Sequence, residues 1–423
     1  MSNLLSKASI VLTPTAYSDG DLHCIKPNTA TGDFDFTRST TATRENSSGN
    51  IESVAANLPR IDYLGGTGHI LLEPQSTNTA TYSNDFTQGD IFVQSGNPAL
   101  TNSALSTNQS TAPDGTTTAN KLTDNNDGAT GAIGVQYSST HLTSGEASTF
   151  SIFVKKDTVR YFIINFANYD TSQNTSFDLD TGTVNRGTGV MTDYGGGWYR
   201  CSATFTTTTD LIGAVKFFIT ENASGTGGTT RNGTNSTFLW GIQAEEQSFP
   251  TSYIPTSGST ATRNADDCKL DNFGSMPSNY PITVYGEVLP NELSADSHAF
   301  SLLQNIDTSG SYYLSLELTS TTGLKIKRRD TDTDDADTIS HTLAVGTPFK
   351  FAVCFQNETD YKYSFDGLSA VSVTTSDTVT WDYNDVLLGT LRLVSDTGSR
   401  NPIKEFRLYD TELTDAQLTE LTT

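Results

Sequence analysis

Residues able to carry chemistry are sparse in this sequence, and one short run concentrates them. Trp381, Asp382, Tyr383 and Asn384 combine two aromatic rings with a carboxylate and an amide. In an extended segment, alternate side chains share a face about 7 Å apart, close to the repeat of adjacent sugar rings. The run is therefore the first candidate for glycan recognition, with aromatic faces against pyranose C–H faces and Asp382 or Asn384 hydrogen-bonding to hydroxyls. The competing expectation is that both rings turn inward as core. Tyr312 and Tyr313 are neighbours on one strand and point to opposite faces, so one of them faces outward, which adds Tyr313 to the candidates.

The acidic run from Asp330 to Asp337 raises calcium, because carboxylates at alternate positions can converge on a hard cation. Asp330, Asp332 and Asp334 would be the ligands. The run departs from an EF-hand loop, with Asp335 where the turn needs glycine and His341 where the last ligand should be Glu. A solvated hairpin tip is the simpler reading, and no other cofactor is expected.

Catalytic signatures are missing from the sequence. It holds no His-Glu-x-x-His, no Gly-x-Ser-x-Gly and no Walker loop. The five histidines, His23, His69, His141, His298 and His341, are scattered singly. Glu245 and Glu246 are adjacent and so point apart on a strand. A polysaccharide depolymerase would call for β-helix repeats or a cleft with paired carboxylates, and no such repeats are visible. The expectation is a protein that is not an enzyme.

The elements that must position these residues are strands. In 423 residues, 25 Lys and Arg face 48 Asp and Glu, a net charge of −23 that argues against nucleic-acid binding. Hydrophobic residues make up only 35%, yet 21 Phe and 17 Tyr supply bulk for cores, and abundant threonine favours strands and turns. The first twenty residues lack the charged start and apolar core of a signal peptide, and no window reaches a membrane span, so synthesis in a cytoplasm without membrane insertion is expected. Cys24, Cys201, Cys268 and Cys354 show no paired spacing and read as buried thiols.

Alternation marks strands at 149–154, 161–166, 198–205 and 215–220, then at 282–288, 312–318, 324–328, 349–355, 361–365, 386–393 and 403–409. The turns between them have the spacing of β-sandwiches. In Trp198-Tyr-Arg200 the tryptophan reads as core, as does Trp240. A single helix is expected near the C-terminus, where Thr414 and Gln417 form a capping box and Leu413 and Leu418 a hydrophobic staple. Thr-Ala-Thr-Arg occurs twice, at 41–44 and 260–263, which suggests a shared short element.

Several segments resemble virion structural proteins of tailed bacteriophages, of the tail-fibre, head-fibre or lectin-like kind. The resemblance is carried by Phe36-Thr-Arg-Ser-Thr-Thr-Ala-Thr-Arg44, Pro59-Arg60-Ile-Asp-Tyr63, Leu71-Leu-Glu-Pro-Gln-Ser-Thr-Asn78 and Tyr82-Ser-Asn-Asp-Phe86. Gly197-Trp-Tyr-Arg200, Leu239-Trp-Gly-Ile-Gln-Ala-Glu245 and Thr251-Ser-Tyr-Ile-Pro255 are similar to carbohydrate-binding-module-like jelly-rolls in such proteins. Ile403-Lys-Glu-Phe-Arg-Leu-Tyr409 resembles the end of a laminin-G or concanavalin-A-like sandwich.

The expected fold is thus all-β: an attachment and oligomerisation segment at 1–83, a jelly-roll at 84–258, a laminin-G-like sandwich at 259–423 and a short C-terminal helix. What the resemblance implies is a virion component of tail-fibre or receptor-binding type that recognises a host-surface glycan without cleaving it. A head fibre or capsid decoration protein is the alternative within that class, and a depolymerase the alternative outside it. The first segment carries apolar pieces (Leu4, Leu5, Ile10, Val11, Leu12) but too little periodicity for a core of its own. It is therefore expected to bury against other virion proteins or sister chains, with a homotrimer as the first expectation. A chain starting near Tyr82 would then stay soluble and fail to join particles.

Overall fold

The computed structural model describes residues 4–423 except 19, 28–31, 89–90, 93–102, 127, 132, 167–173, 223–228, 272–279, 291–297, 304–312, 331–332, 381–384 and 390–400. Strands dominate, and two helices, Leu4–Lys7 and Asp415–Thr422, complete the described elements. Among the described residues no helix is long and apolar enough to cross a membrane.

The chain divides into two compact units, one of Met1–Ser47, Val54–Gln75 and Asn264–Thr423, the other of Ser48–Ser53 and Ser76–Arg263. This differs from three consecutive domains. The first 75 residues do not stand apart: most of them are built into the same unit as the C-terminal sandwich.

That unit has two sheets. The eight-stranded sheet runs Val371–Thr374, Asp360–Phe365, Phe349–Phe355, Ile282–Val288, Ile403–Tyr409, His69–Ile70, Ile61–Asp62, with Ile10–Leu12 also paired to Ile403–Tyr409. The nine-stranded sheet runs Tyr17–Ser18, Asp21–Leu22, Phe34–Thr37, Asp267–Leu270, Asp385–Leu388, His298–Leu303, Tyr313–Ser320, Gly323–Arg329, Asp334–Ser340. The N-terminal region thus contributes strands to both sheets, in registers such as Ile10 opposite Leu408 and Phe36 opposite Cys268. Its apolar residues share one core with the C-terminal strands: Ile10, Leu12, Phe34 and Phe36 lie with Val284, Phe300, Phe351 and Phe406. Leu4 and Val11 enter a second cluster with Tyr409, Leu413 and Leu418. Of the apolar residues expected to meet a partner chain, Leu5 is the one left open, at 48%. The weak periodicity has a physical cause, because strands of two to four residues are too short to display alternation.

Arg38, Arg60 and Glu73 of this region join Asp266 in a buried ion cluster. Arg38 Nη1 donates to Asp266 Oδ1 at 2.9 Å, Arg60 Nη1 to Glu73 Oε2 at 2.8 Å, and Arg60 Nη2 to Asp266 Oδ2. Arg38, Arg60 and Asp266 side chains are wholly buried. Further guanidinium hydrogens go to the carbonyls of Thr40, Ala55 and Thr43, which helps make burial of charge tolerable.

The other unit is a sandwich of two six-stranded sheets. One contains Ile133–Leu142, Leu211–Thr220 and Tyr161–Asn165; the other Ala119–Asp124, Ser236–Glu245, Ala147–Lys156 and Trp198–Thr206. Phe150, Ile152, Phe162, Phe177 and Phe217 fill the core between them. Trp198 and Trp240 are buried with Phe153 and Tyr253 in a separate cluster, their indole N–H groups donating to Thr111 O at 3.0 Å and Thr118 Oγ1 at 3.1 Å. Gly241 resets the strand after Trp240. Its φ of +63° marks a bulge at which the register shifts between Ser151 and Phe153, and a Cβ there would lie 2.8 Å from the Phe153 ring. Alternation puts Trp240 on the face opposite Leu239, and the bulge returns Ile242 to the Leu239 face in the main core.

The second Thr-Ala-Thr-Arg copy forms strand Ala261–Arg263, paired with Ser76–Asn78. The first copy supplies strand Ala42–Glu45.

Candidate functional site

Thr378 and Thr380, just before the Trp381 run in sequence, help line an open groove of about 530 Å³ with Tyr280, Gln356, Asn357, Glu358 and Thr359. The turn between strands Phe349–Phe355 and Asp360–Phe365 makes one wall and the segment ending at Thr380 makes the other. Their backbones are tied together, Thr375 N–H to Thr359 O at 3.0 Å and Val379 N–H to Glu358 O at 2.9 Å. Asn357 Oδ1 fixes its own turn by accepting from the N–H groups of Thr359 and Asp360.

Arg328 supports the wall from below. Buried at 1% exposure, it donates through Nε to Asp335 Oδ2 at 3.0 Å and through Nη1 to Glu358 O at 3.3 Å, with its guanidinium 5.3 Å from the centre of the Tyr361 ring. Tyr361 in turn donates to Asp337 Oδ2 at 2.6 Å. Tyr280 donates to Val379 O at 3.1 Å, and burial raises its phenol pKa, so the ring presents a neutral hydroxyl. Thr378, Thr380, Asn357 and Glu358 are exposed. The groove therefore offers hydroxyl, amide and carboxylate groups on a braced frame, a set suited to a ligand rich in hydroxyls.

Trp381, Asp382, Tyr383 and Asn384 lie outside the described residues. Thr380, next to Trp381 in the chain, is on the groove wall. Tyr313 is 4% exposed, at the start of a strand between Leu303 and Arg329, so this chain shows little of it to solvent. Tyr312 and Asp332 also lie outside the described residues.

The described carboxylates of the acidic run, Asp330, Asp335 and Asp337, do not gather into one cluster. Asp330 Oδ1 accepts from Thr333 N–H at 2.8 Å and Oδ2 from Thr380 N–H at 3.0 Å, so this carboxylate staples the turn to the groove wall. Asp335 and Asp337 go to Arg328 and Tyr361, and Asp334 begins the edge strand Asp334–Ser340. Among the described residues no three His, Cys, Asp or Glu side chains are placed to hold a metal ion. The groove itself was not legible in the sequence, because Tyr280, Glu358 and Thr380 meet only through the sheet and each is an ordinary turn residue.

No family model and no curated protein sequence matches this chain. Similar solved structures include the CBM40 module of a Ruminococcus gnavus IT-sialidase bound to α2,3-sialyllactose, 15% identical over 34% of this chain and 84% of that one, TM-score 0.31. Domain 4 of a GH43 extracellular arabinanase from Geobacillus stearothermophilus, in complex with arabinotriose, is 17% identical over 42% of this chain and 84% of that one, TM-score 0.30. The SAP-like pentraxin of Limulus polyphemus, a native heptamer, is 12% identical over 35% of this chain and 72% of that one, TM-score 0.29.

Proposed function

We propose that this chain is a virion protein of a tailed bacteriophage, of tail-fibre or receptor-binding type, that recognises a glycan on the host surface and leaves its glycosidic bonds intact. The observation that carries the reading is the polar groove at Tyr280, Glu358 and Thr380, the last of which immediately precedes Trp381-Asp-Tyr-Asn384 in the sequence. Trp381 and Tyr383 are the aromatic residues proposed to stack on the sugar rings, with hydroxyl and amide groups of the groove as hydrogen-bonding partners. The motif resemblance supports the virion setting, and the acidic, threonine-rich surface suits a particle exposed outside a cell.

Incubation of the full chain with host-surface polysaccharide tests this. Retention on the glycan is expected, weakened at least about tenfold in Trp381→Ala and unaccompanied by shorter chains on sizing. Shortened chains, or equal retention of the variant, would overturn it.

A further inference from the structure

Ser18, His23 and Asp33 form a continuous hydrogen-bonded chain at the edge of the nine-stranded sheet. Strands Tyr17–Ser18 and Asp21–Leu22 make a tight hairpin with Ser18 opposite Asp21, and His23 N–H extends it by donating to Ala16 O at 3.0 Å. Directly opposed residues share a face, and so do alternate residues along a strand, which puts Ser18 and His23 on the same side. Ser18 Oγ lies 2.8 Å from His23 Nε2, and His23 Nδ1 lies 2.8 Å from Asp33 Oδ2. The other oxygen of Asp33 accepts from Cys24 N–H at 2.7 Å, which fixes the carboxylate.

The chemistry of the three groups sets the tautomer. An ionised carboxylate only accepts, so Nδ1 carries the hydrogen directed at Asp33, and the neutral ring presents its Nε2 lone pair to the Ser18 hydroxyl. The Asp33 side chain is 13% exposed and that of His23 37%, so the orienting end is sheltered and the reacting end is open.

We propose that Ser18, His23 and Asp33 are an ester-hydrolysing site, with Ser18 as nucleophile, His23 as general base and Asp33 as the positioning residue. Ser18 Oγ bonds to the ester carbonyl carbon as its proton passes to Nε2. The carbon–oxygen bond to the alcohol then breaks, and the alcohol leaves with that proton. Water attacks the acyl-serine, giving a proton to Nε2 that returns to Oγ as the carboxylic acid departs.

The substrate class follows from the surroundings. Asp21 pairs with Asp35 across the sheet on this face, a carboxylate environment that disfavours an anionic ester. The open serine suits a short acyl group such as acetyl on an uncharged alcohol. Removal of such a group breaks no glycosidic bond, so this activity is separate from glycan retention.

The test uses the full chain, p-nitrophenyl acetate and a fluorophosphonate label located by mass spectrometry. Wild type should hydrolyse the ester and carry the label on Ser18, and Ser18→Ala should lose the label and at least about 100-fold in rate. Ser18 is exposed, so this variant keeps the fold and decides the question. Asp33→Asn should lower the rate, and Asp33→Glu should partly restore it. A Ser18→Ala rate equal to wild type, or a label on another residue, would overturn the proposal.

Discussion

Asp266 accepts from both Arg38 and Arg60 with its side chain wholly out of water. Replacing it with Ala removes a counter-charge shared by two buried guanidinium groups and leaves Arg60 to Glu73, an effect of about 3–5 kcal/mol in chemical denaturation. His298 responds to pH instead. It is fully buried with both ring nitrogens unpartnered, opposite Glu317 in the sheet and near Lys327, and burial pushes its pKa down to about 4. Between about 6.5 and 4 the unfolded chain binds a proton that the folded chain refuses, so stability falls with falling pH, by about 3 kcal/mol over the window. Asp267 runs the other way. Burial, aided by Asp271 and Asp35, raises its carboxyl to about 6, so the folded state takes up a proton first and gains stability on acidification. Urea midpoints at two pH values, about 7 and 5, separate the two: His298→Gln should keep more of its neutral-pH stability than wild type, and Asp267→Asn less.

At the scale of elements, the C-terminal helix Asp415–Thr422 was legible in full. Thr414 Oγ1 accepts from Gln417 N–H and Gln417 Oε1 accepts from Thr414 N–H, while Leu413 and Leu418 pack in one cluster. Thr414→Ala should cost about 1 kcal/mol, and Leu418→Ala about 2–5 kcal/mol, in thermal or urea unfolding. Gly241→Ala should cost about 1–2 kcal/mol for its positive φ alone, with more from the Phe153 ring, and the near-ultraviolet signal of Trp240 is the sensitive readout. The long strands were equally legible: Ile282–Val288, Phe349–Phe355 and Ile403–Tyr409 fall where alternation places them. What escaped was everything made by pairing across sequence. Tyr17–Ser18 and Ile61–Asp62 are too short to show a period, and His23 looks solitary until a hairpin brings Ser18 to it. The groove was hidden for the same reason, since a turn at Asn357 gives no sign that Tyr280 and Thr380 will face it.

Over the whole molecule, the inserted arrangement decides which pieces can stand alone. The unit of Ser48–Ser53 and Ser76–Arg263 has its own core, so a fragment of residues 48–263 should show a cooperative thermal transition by circular dichroism. Residues 264–423 alone lack Ile10, Leu12, Phe34, Phe36, Ile61 and Ile70 from their core, and should show none. A chain starting near Tyr82 would carry the same defect, so its failure to join particles would report a broken sandwich before it reported a lost attachment site.

Strand Ile10–Leu12 pairs with Ile403–Tyr409, and that pairing has a consequence on the ribosome. The earliest strands leave the exit tunnel with no sheet to join until their partner has been made. At about 5–20 residues per second that interval is roughly 20–80 s, far longer than the folding of the unit encoded in between. During that time Ile10, Val11 and Leu12, all buried in the finished protein, remain open to the nascent chains of neighbouring ribosomes. Slower initiation or abundant trigger-type holdases should raise the soluble yield, and faster translation of the inserted unit should raise it further by shortening the wait.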